Sequence, residues 1–558
     1  MKNKIFKTVL AVAAIAPALT GCIEEVVPTN GIIQSQLEGN PRATEALVWA
    51  MPGHMNEILL FNSTGNGWDM GYPGIMHIRD LFTADLHHSQ LGANYNHFWY
   101  WSENSIGLGQ AYLYPQYPWN WMYTHILSCN KVIQAIDINT ENPELRMQLG
   151  SGYAYRAFTY LDFGRMYETL PTDGYEVSPE LCGLTLPIVD ENTTEEMLKN
   201  NPRVKHDKMV EFIKSDLDKA VSLLETNASA RPNKTIPDLS VVYGLYARLY
   251  LWDATYAEEI DGDAARARTQ YAEAQKYAAL AKSGYTPLTQ EEWLSTTTGF
   301  NDDSQNAWMF SGKYVTEDDA VQSGNFSWVG WMATEKTYGY SSSRLKCFPE
   351  IGAAVYERIS DRDWRKLSFV APEGSALAGR EPFIDNAFAE EFFTVPYISI
   401  KFRPASGNQT DRLVGCAGAY PLMRVEEMYL IEAEAAAHLD AAAGKALLED
   451  FMKTYRYSQY QCIASSVEDV VEEIIFQKRV ELWGEGQSYF DIKRLNYSVT
   501  RAYEGSNFIW GSETFNTNGR PAWMNFVITR QELANNKGIP ESLNAPTPAG
   551  RYKVIQSL

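Results

Sequence analysis

The sequence predicts a mainly α fold, with tetratricopeptide-like helix pairs stacked into a right-handed superhelical scaffold that carries long loop-rich insertions and a few short strands. Three observations predict it. Apolar residues recur at helical spacing in several segments, those segments carry stripes of alanine and glycine that admit a close helical neighbour, and the stretches between them turn to Gly, Asn, Ser, Pro and aromatic residues. No strict sequence period is present, so the repeat is one of structure.

Taken in order, Tyr153, Ala157, Tyr160, Leu161 and Gly164 share one face of a helix predicted over residues 149–167. Met209, Ile213, Leu217, Ala220, Val221 and Leu224 form an apolar stripe over 207–224, with lysines and acids opposite. From Ser240, read as an N-cap, through Trp252 the segment is apolar nearly all round, which marks a buried helix. Tyr271, Ala274, Ala278 and Ala281 then make a narrow stripe that ends before Gly284. Helices are predicted again over 422–439, 441–457 and 467–483, the last with Val471, Ile474, Ile475, Lys478 and Leu482 in register. The insertions are residues 61–121, 285–420 and 500–558, where loops held by a rigid scaffold are expected to carry function.

With 558 residues, 45% hydrophobic and 21% charged, the chain can bury a large core and has the composition neither of a disordered nor of a membrane-spanning protein. Lys2, Lys4 and Lys7 precede the apolar residues 9–19, which Pro17 interrupts and which are too few to cross a bilayer. The run ends in Leu19, Thr20, Gly21 and Cys22, the pattern of a bacterial lipobox. Residues 1–21 are therefore expected to be a lipoprotein signal peptide, Cys22 the lipidated N-terminus, and 22–30 a polar tether. The body is expected over 31–558, with helical scaffold over about 31–285 and 421–500 and a ligand-facing insertion over about 285–420. Cleavage takes three lysines from the 48 basic residues and none of the 69 acidic ones, so the formal charge moves from −21 to −24, which argues against nucleic acid as a partner.

Cys129, Cys182, Cys347, Cys416 and Cys462 are odd in number and unpatterned, suggesting neither a disulfide framework nor a zinc site. His77, His87, His88 and His97 with Asp80 and Asp85 match no metal-binding spacing and are read as solvated or hydrogen-bonded. No nucleophile elbow, phosphate-binding loop or dinucleotide fingerprint is present, so no cofactor or metal is expected and the chain is read as a non-enzyme.

Residues 474–494 contain Glu481, Leu482, Glu485, Gly486, Asp491 and Arg494 at the spacing of the C-terminal signature of SusD/RagB proteins, and the chain resembles that family. Upstream, the segment 421–435, with Pro421, Leu422, Arg424, Glu427, Tyr429, Leu430 and Glu434, resembles another helix of the family, and residues 155–160 with Leu170 and Pro171 resemble its early helix. Phe526, Val527 and Ile528 with Asn535, Asn536 and Lys537 resemble its closing segment. Gln477 and Lys478 stand where Glu and Arg are usual, Ser488 replaces an arginine and Thr529 a proline, which weakens inferred ion pairs but not the fold. Glu24 and Glu25 behind Cys22 resemble the surface-export signal of Bacteroidetes lipoproteins.

The resemblance implies a cell-surface, outer-membrane lipoprotein that captures glycans and delivers them to a SusC-like TonB-dependent transporter; the alternatives are a RagB-like peptide-binding subunit and a surface glycoside hydrolase. A scaffold that binds only protein is a further alternative, one that packs Trp68, Trp99 and Trp328 inside. Glu427 and Glu434 share the stripe of Leu430 and Ile431, so both carboxylates should approach the core and need partners, expected to be Arg479 or Arg494, with Glu481 in the same structural set. A paired acid and nucleophile is the competing reading of such carboxylates.

Glycan binding needs flat rings for the apolar faces of sugars and polar groups for their hydroxyls. Residues 66–72 and 94–101 interleave the two, nominating Trp68, Asp69, Tyr72, Tyr95, Trp99 and Trp101. A mid-chain loop nominates Trp328, Trp331 and Tyr338, with Tyr340 beside them, where neighbouring glycines and serines are expected to expose the rings.

Overall fold

The computed structural model describes residues 41–58, 69–89, 108–111, 113–324, 326–548 and 551–557. The expected signal peptide and tether, Cys22, Trp68, Tyr95, Trp99, Trp101 and His97 lie outside the described residues.

The longer helices are α1 (Pro41–Met55), α2 (Tyr72–Leu81), α3 (Leu113–Ala135), α4 (Pro143–Tyr167), α5 (His206–Leu224), α6 (Leu239–Glu259), α7 (Ala264–Ala281), α8 (Val425–Leu439), α9 (Ala441–Tyr455) and α10 (Val467–Glu481). From α3 to α8 each packs on the next, and α8 packs on both α9 and α10. The contact between α7 and α8 closes over residues 285–420, so the scaffold is broken in sequence and continuous in space. Short helices are named below by their residues, and two antiparallel strand pairs tie the insertion to the rest: β1 (Leu86–His88) with β3 (Pro349–Ile351), and β2 (Trp308–Lys313) with β4 (Ala419–Arg424).

Local chemistry explains where the helices begin. Pro143 opens α4, where its missing N–H costs nothing, and the Asn142 side chain accepts from the Glu144 and Leu145 amides at 2.9 and 3.2 Å. On α7 the small-residue stripe is the buried face, comprising Ala267, Tyr271, Ala274, Ala278 and Ala281. At Gly244 an added methyl would lie 2.3 Å from the Met423 sulfur, so a larger residue there would make the Met423 side chain shift.

Two boundaries differ from the sequence reading. Asp238, not Ser240, caps α6, its carboxylate accepting from the Val241 amide at 3.0 Å, and the helix runs on to Glu259. Residues 422–424, expected to start a helix, belong instead to β4: Pro421 forces Tyr420 toward extended backbone, and the strand pairs Pro421 with Ser311 before α8 starts at Val425.

The motif carboxylates are clasped inside the scaffold. Glu434 meets Arg494, one of its two expected partners. Glu427 meets neither: Arg248 of α6 clasps it with bonds of 2.7 and 2.6 Å, and Arg479 turns instead to Asp85, which lies just before β1, at 2.9 Å. Helical spacing placed these acids on the buried face, but which helix supplies each guanidinium is a property of the packing. Glu481 is the most heavily used, accepting from Arg365 at 2.8 Å and from Arg456 at 2.8 and 2.7 Å, with Arg424 at 3.4 Å. Glu485 takes Arg424 at 2.9 Å and Lys401 of the insertion at 2.8 Å, so this core ties scaffold to insertion.

A second ionic lock joins α5 to α6. His206 is buried with Nδ1 2.7 Å from Glu168 and Nε2 3.1 Å from Asp253, and its ring stacks on Tyr256 at 3.7 Å. Burial alone would depress its pKa, but the Glu168 and Asp253 carboxylates raise it to about 9. A raised pKa means that the stabilisation is complete below the unfolded value near 6.5 and is lost as pH rises through about 9. His206→Gln should therefore cost roughly 2–3 kcal/mol at pH 6 and much less at pH 10. Urea midpoints of wild type and variant across that range test this, and a pH-independent difference would contradict it.

Candidate functional site

Residues 86–89 of the N-terminal segment and residues 347–351 of the insertion meet in space. β1 pairs with β3, the Ser89 amide donates to the Phe348 carbonyl at 2.9 Å, and His88 Nδ1 donates to the Cys347 carbonyl at 3.0 Å. That fixes the tautomer: His88 Nε2 is the acceptor for the N–H of His77 Nε2, 3.0 Å away. Burial pushes the pKa of His77 well down and that of His88 to about 3, so the pair is uncharged at neutral pH.

Against these imidazoles lies Trp331, on the short helix Trp328–Met332, which Ser327 caps by accepting from the Gly330 amide at 3.0 Å. The Trp331 ring stacks on Tyr340 with centroids 4.0 Å apart and planes 14° apart, and on His77 at 6.1 Å, while His88 meets it edge-on at 5.7 Å. Of the described aromatic residues nominated in the sequence, Trp328 and Trp331 are 1% and 0% exposed, Tyr72 is buried and Tyr338 is half-buried. Trp328 packs on Phe402 at 5.3 Å, and the Tyr72 hydroxyl bonds to Asp162 beside Arg79. Asp69 is buried, and the Tyr338 hydroxyl donates to the Asn408 carbonyl at 2.8 Å.

The expectation that glycines expose these rings is corrected by the backbone. Gly339 adopts φ +79°, and a methyl there would sit 2.6 Å from the Gly330 carbonyl oxygen, so glycine permits the loop to fold down onto the Trp328–Met332 helix and close the rings. Ser341 secures that fold by donating to the Ala333 carbonyl at 2.7 Å. Tyr340, which stands with Tyr338 in the mid-chain loop, is the half-buried ring of the stack. Beneath the loop sits Lys336, fully buried, its ammonium nitrogen 3.4 Å from the Gly330 carbonyl and 3.3 Å from the Ser341 hydroxyl.

Elsewhere the chemistry is structural. His206, Asp207 and Asp253 lie close enough to suggest metal ligands, but both His206 nitrogens face carboxylates, and Arg266 already bridges Asp207 and Asp253. His87 is buried between Glu350 at 3.2 Å and Glu513 at 3.6 Å. Glu427, Glu434 and Glu481 are each held by guanidinium groups and sealed from solvent, an arrangement that leaves them no sugar to act on. A separate cleft of about 620 Å³ lies where α3, the short helix Glu195–Leu198 and the helix Arg530–Asn535 meet. Trp119 and Tyr123 of its floor, four positions apart on α3, were a helical-face signal that the reading of loops overlooked.

The scaffold is one of helical repeats, and its aromatic, uncharged cluster is closed where residues 86–89 meet the insertion. The model of the SusD family matches residues 385–538, and one described as starch-binding associating with outer membrane matches residues 78–251. Among solved structures, a SusD-like carbohydrate binding protein from Bacteroides vulgatus aligns over 90% of this chain and 98% of its own with a TM-score of 0.65 at 22% identity. A SusD superfamily protein from Bacteroides thetaiotaomicron aligns over 91% and 100% with a TM-score of 0.63 at 16% identity. A SusD-like carbohydrate binding protein from Bacteroides fragilis aligns over 90% and 99%, with a TM-score of 0.62 at 14% identity. No curated protein matches the chain. Both family models and the solved structures that share the fold are those of SusD-like proteins, which supports a SusD-like assignment. Among the described residues no helix is long and apolar enough to cross a membrane.

Proposed function

We propose that this chain is a cell-surface glycan-binding lipoprotein, anchored in the outer membrane through lipid on Cys22, with residues 22–30 as tether and 31–558 as body. It captures oligosaccharides without cutting them and passes them to a SusC-like TonB-dependent transporter. The family description of starch binding at the outer membrane supports this, as do solved relatives described as carbohydrate binding proteins.

The observation that carries the reading is the Trp331–Tyr340 stack flanked by the neutral His77–His88 pair, at the junction of the N-terminal segment and the insertion. Tyr340 is the half-buried ring of that stack, and a flat ring offers an apolar face to a sugar. Lipid-free protein spanning 31–558 is expected to retain neutral oligosaccharides on a glycan array, and Tyr340→Ala should weaken the best of them about tenfold, equivalent to about 1.4 kcal/mol. A blank array, or a Tyr340→Ala protein that binds as wild type does, would overturn the assignment.

A further inference from the structure

We infer that residues 336–346 form a cover over the Trp331 ring, one that opens when the buried Lys336 amine takes up a proton. With the Trp331–Tyr340 stack as the sugar site, a reading on which this rests, opening turns toward a ligand the Trp331 face against which Tyr340 lies. Closed, that ring is 0% exposed and has no face to give.

The cover folds largely on itself. The Ser343 amide returns to the Lys336 carbonyl at 2.9 Å and the Cys347 amide to the Tyr340 carbonyl at 3.3 Å. Its ties to the rest are local: the Ser341 amide donates to the Gly330 carbonyl at 3.1 Å, the Thr337 amide to the Gln409 carbonyl at 2.9 Å and the Tyr338 hydroxyl to the Asn408 carbonyl at 2.8 Å. At its far end Lys346 adopts φ +54°, a left-handed conformation that a side-chain-bearing residue enters at a cost, and Leu345 before it stands 47% exposed. A segment so built can lift while the helix Trp328–Met332 stays in place.

Lys336 gives it a reason to lift. Its contacts with the Gly330 carbonyl and the Ser341 hydroxyl, at 3.4 and 3.3 Å, are longer than a charged donor makes, and no carboxylate lies in ion-pair distance among the described residues. The helix Trp328–Met332 brings it no charge, and the cover brings the Tyr338 ring, centred 5.5 Å from the amine. The segment 408–416 brings Cys416, whose thiol burial pushes up, Asp411, which accepts from the Leu413 amide at 2.9 Å, and Arg412, which donates to the Gln322 carbonyl at 2.9 Å. Glu335, next in the chain, is turned to Arg403, and the His77–His88 pair beyond Trp331 is uncharged. A proton on Lys336 therefore stays unneutralised while the cover is closed, and burial lowers its pKa to about 7. Lifted into water, the amine regains its ordinary value of 10.5. The open state then binds the proton more tightly, so its population should rise about tenfold per pH unit as pH falls from 10.5 to about 7, and level off below.

Hydrogen exchange at the Ser341 and Ser343 amides, followed on the full chain without sugar and corrected for the intrinsic rate, tests this. Between pH 9 and pH 7 their protection in the wild type should fall about thirtyfold or more. In Lys336→Met, which has no proton to take up, it should hold. At both pH values these amides should exchange faster than the buried amides of α4, which report unfolding of the whole chain. Equal wild-type protection at the two pH values, the same fall in Lys336→Met, or exchange no faster than in α4 would each overturn the inference. Because exchange is read without ligand and Tyr340→Ala reports on glycan capture, the cover and the sugar site can fail separately.

Discussion

Replacing Glu481 by alanine should destabilise the chain by about 3–5 kcal/mol, the loss expected when one partner of a buried ionic cluster is removed. Glu481 is sealed from solvent and meets Arg365, Arg456 and Arg424, guanidinium groups drawn from the insertion, from the end of α9 and from β4. Without it, Asp363, Glu426 and Glu485 remain as counter-charges, and the arginines cannot move to water because they too are buried. Glu481→Gln keeps the shape and most acceptors but loses the charge, so it should fall between wild type and alanine. Burial alone would raise the Glu481 pKa, but the three arginines hold it well below the usual carboxylate range. Its contribution is therefore present above about pH 4.5 and persists until strongly acidic conditions protonate the folded state. The exposed pair Lys208–Glu211 is the control, and Glu211→Ala should cost no more than about 0.5 kcal/mol. Urea midpoints measure both, and a Glu481→Ala loss below about 1 kcal/mol would refute the role given to the cluster.

Lys336→Met should do the opposite and stabilise the protein by about 1–3 kcal/mol. The Lys336 ammonium lies buried, with no carboxylate in ion-pair distance among the described residues, and burial lowers its pKa to about 7. For an amine the sign reverses relative to His206. Between about pH 7 and 10.5 the unfolded chain binds a proton that the folded chain refuses, so stability falls as pH falls through that window and levels off below it. Methionine fills nearly the same space without a charge and removes that slope. Relative to wild type, the gain from Lys336→Met should thus be largest near pH 7 and shrink toward pH 10.5, whereas the loss from His206→Gln shrinks over the lower window toward pH 9. A Lys336→Met protein less stable than wild type at pH 7 would show that the amine makes a contact worth keeping. Because Lys336 underlies the loop that carries Tyr338 and Tyr340, tightening that loop should also slow hydrogen exchange at its amides.

Much of the scaffold was legible because helical burial writes itself into the sequence at a fixed period. The stripe of α7 matches its buried face, that of α5 does so at Met209, Ile213, Leu217 and Ala220 while Val221 and Leu224 are half-buried, and the change in composition after Gly284 marks where the chain leaves the scaffold. β4 was hidden because a short, wholly buried strand reads like the first turn of the apolar helix after it, with Pro421 as its one local clue. Contacts between distant residues were legible only as needs. Spacing showed that Glu427 and Glu434 required cations, and Arg494 was a nominated one, but nothing local could point from Glu427 to Arg248, 179 positions away. The departures at Gln477 and Lys478 are absorbed in the same way, Gln477 accepting from Arg365 at 2.6 Å and Lys478 meeting Asp491 at 3.0 Å.

The site was less legible because composition does not state the direction in which a ring points. Trp328 and Trp331 sit in the glycine- and serine-rich setting expected of displayed aromatics, and glycine acts there to bring backbones together. The cleft at Trp119 escaped attention for the converse reason: its floor is a regular helix, and its other walls come from residues 187–201 and 532–536.

Capture without cleavage is tested most directly by calorimetric titration of residues 31–558 with the best array-selected oligosaccharide, followed by chromatography of the recovered sugar. The account predicts saturable binding, a weaker isotherm for Tyr340→Ala, and ligand recovered at its original length after prolonged incubation. Shortened product released by the purified protein, or heat of binding that Tyr340→Ala leaves unchanged, would contradict it.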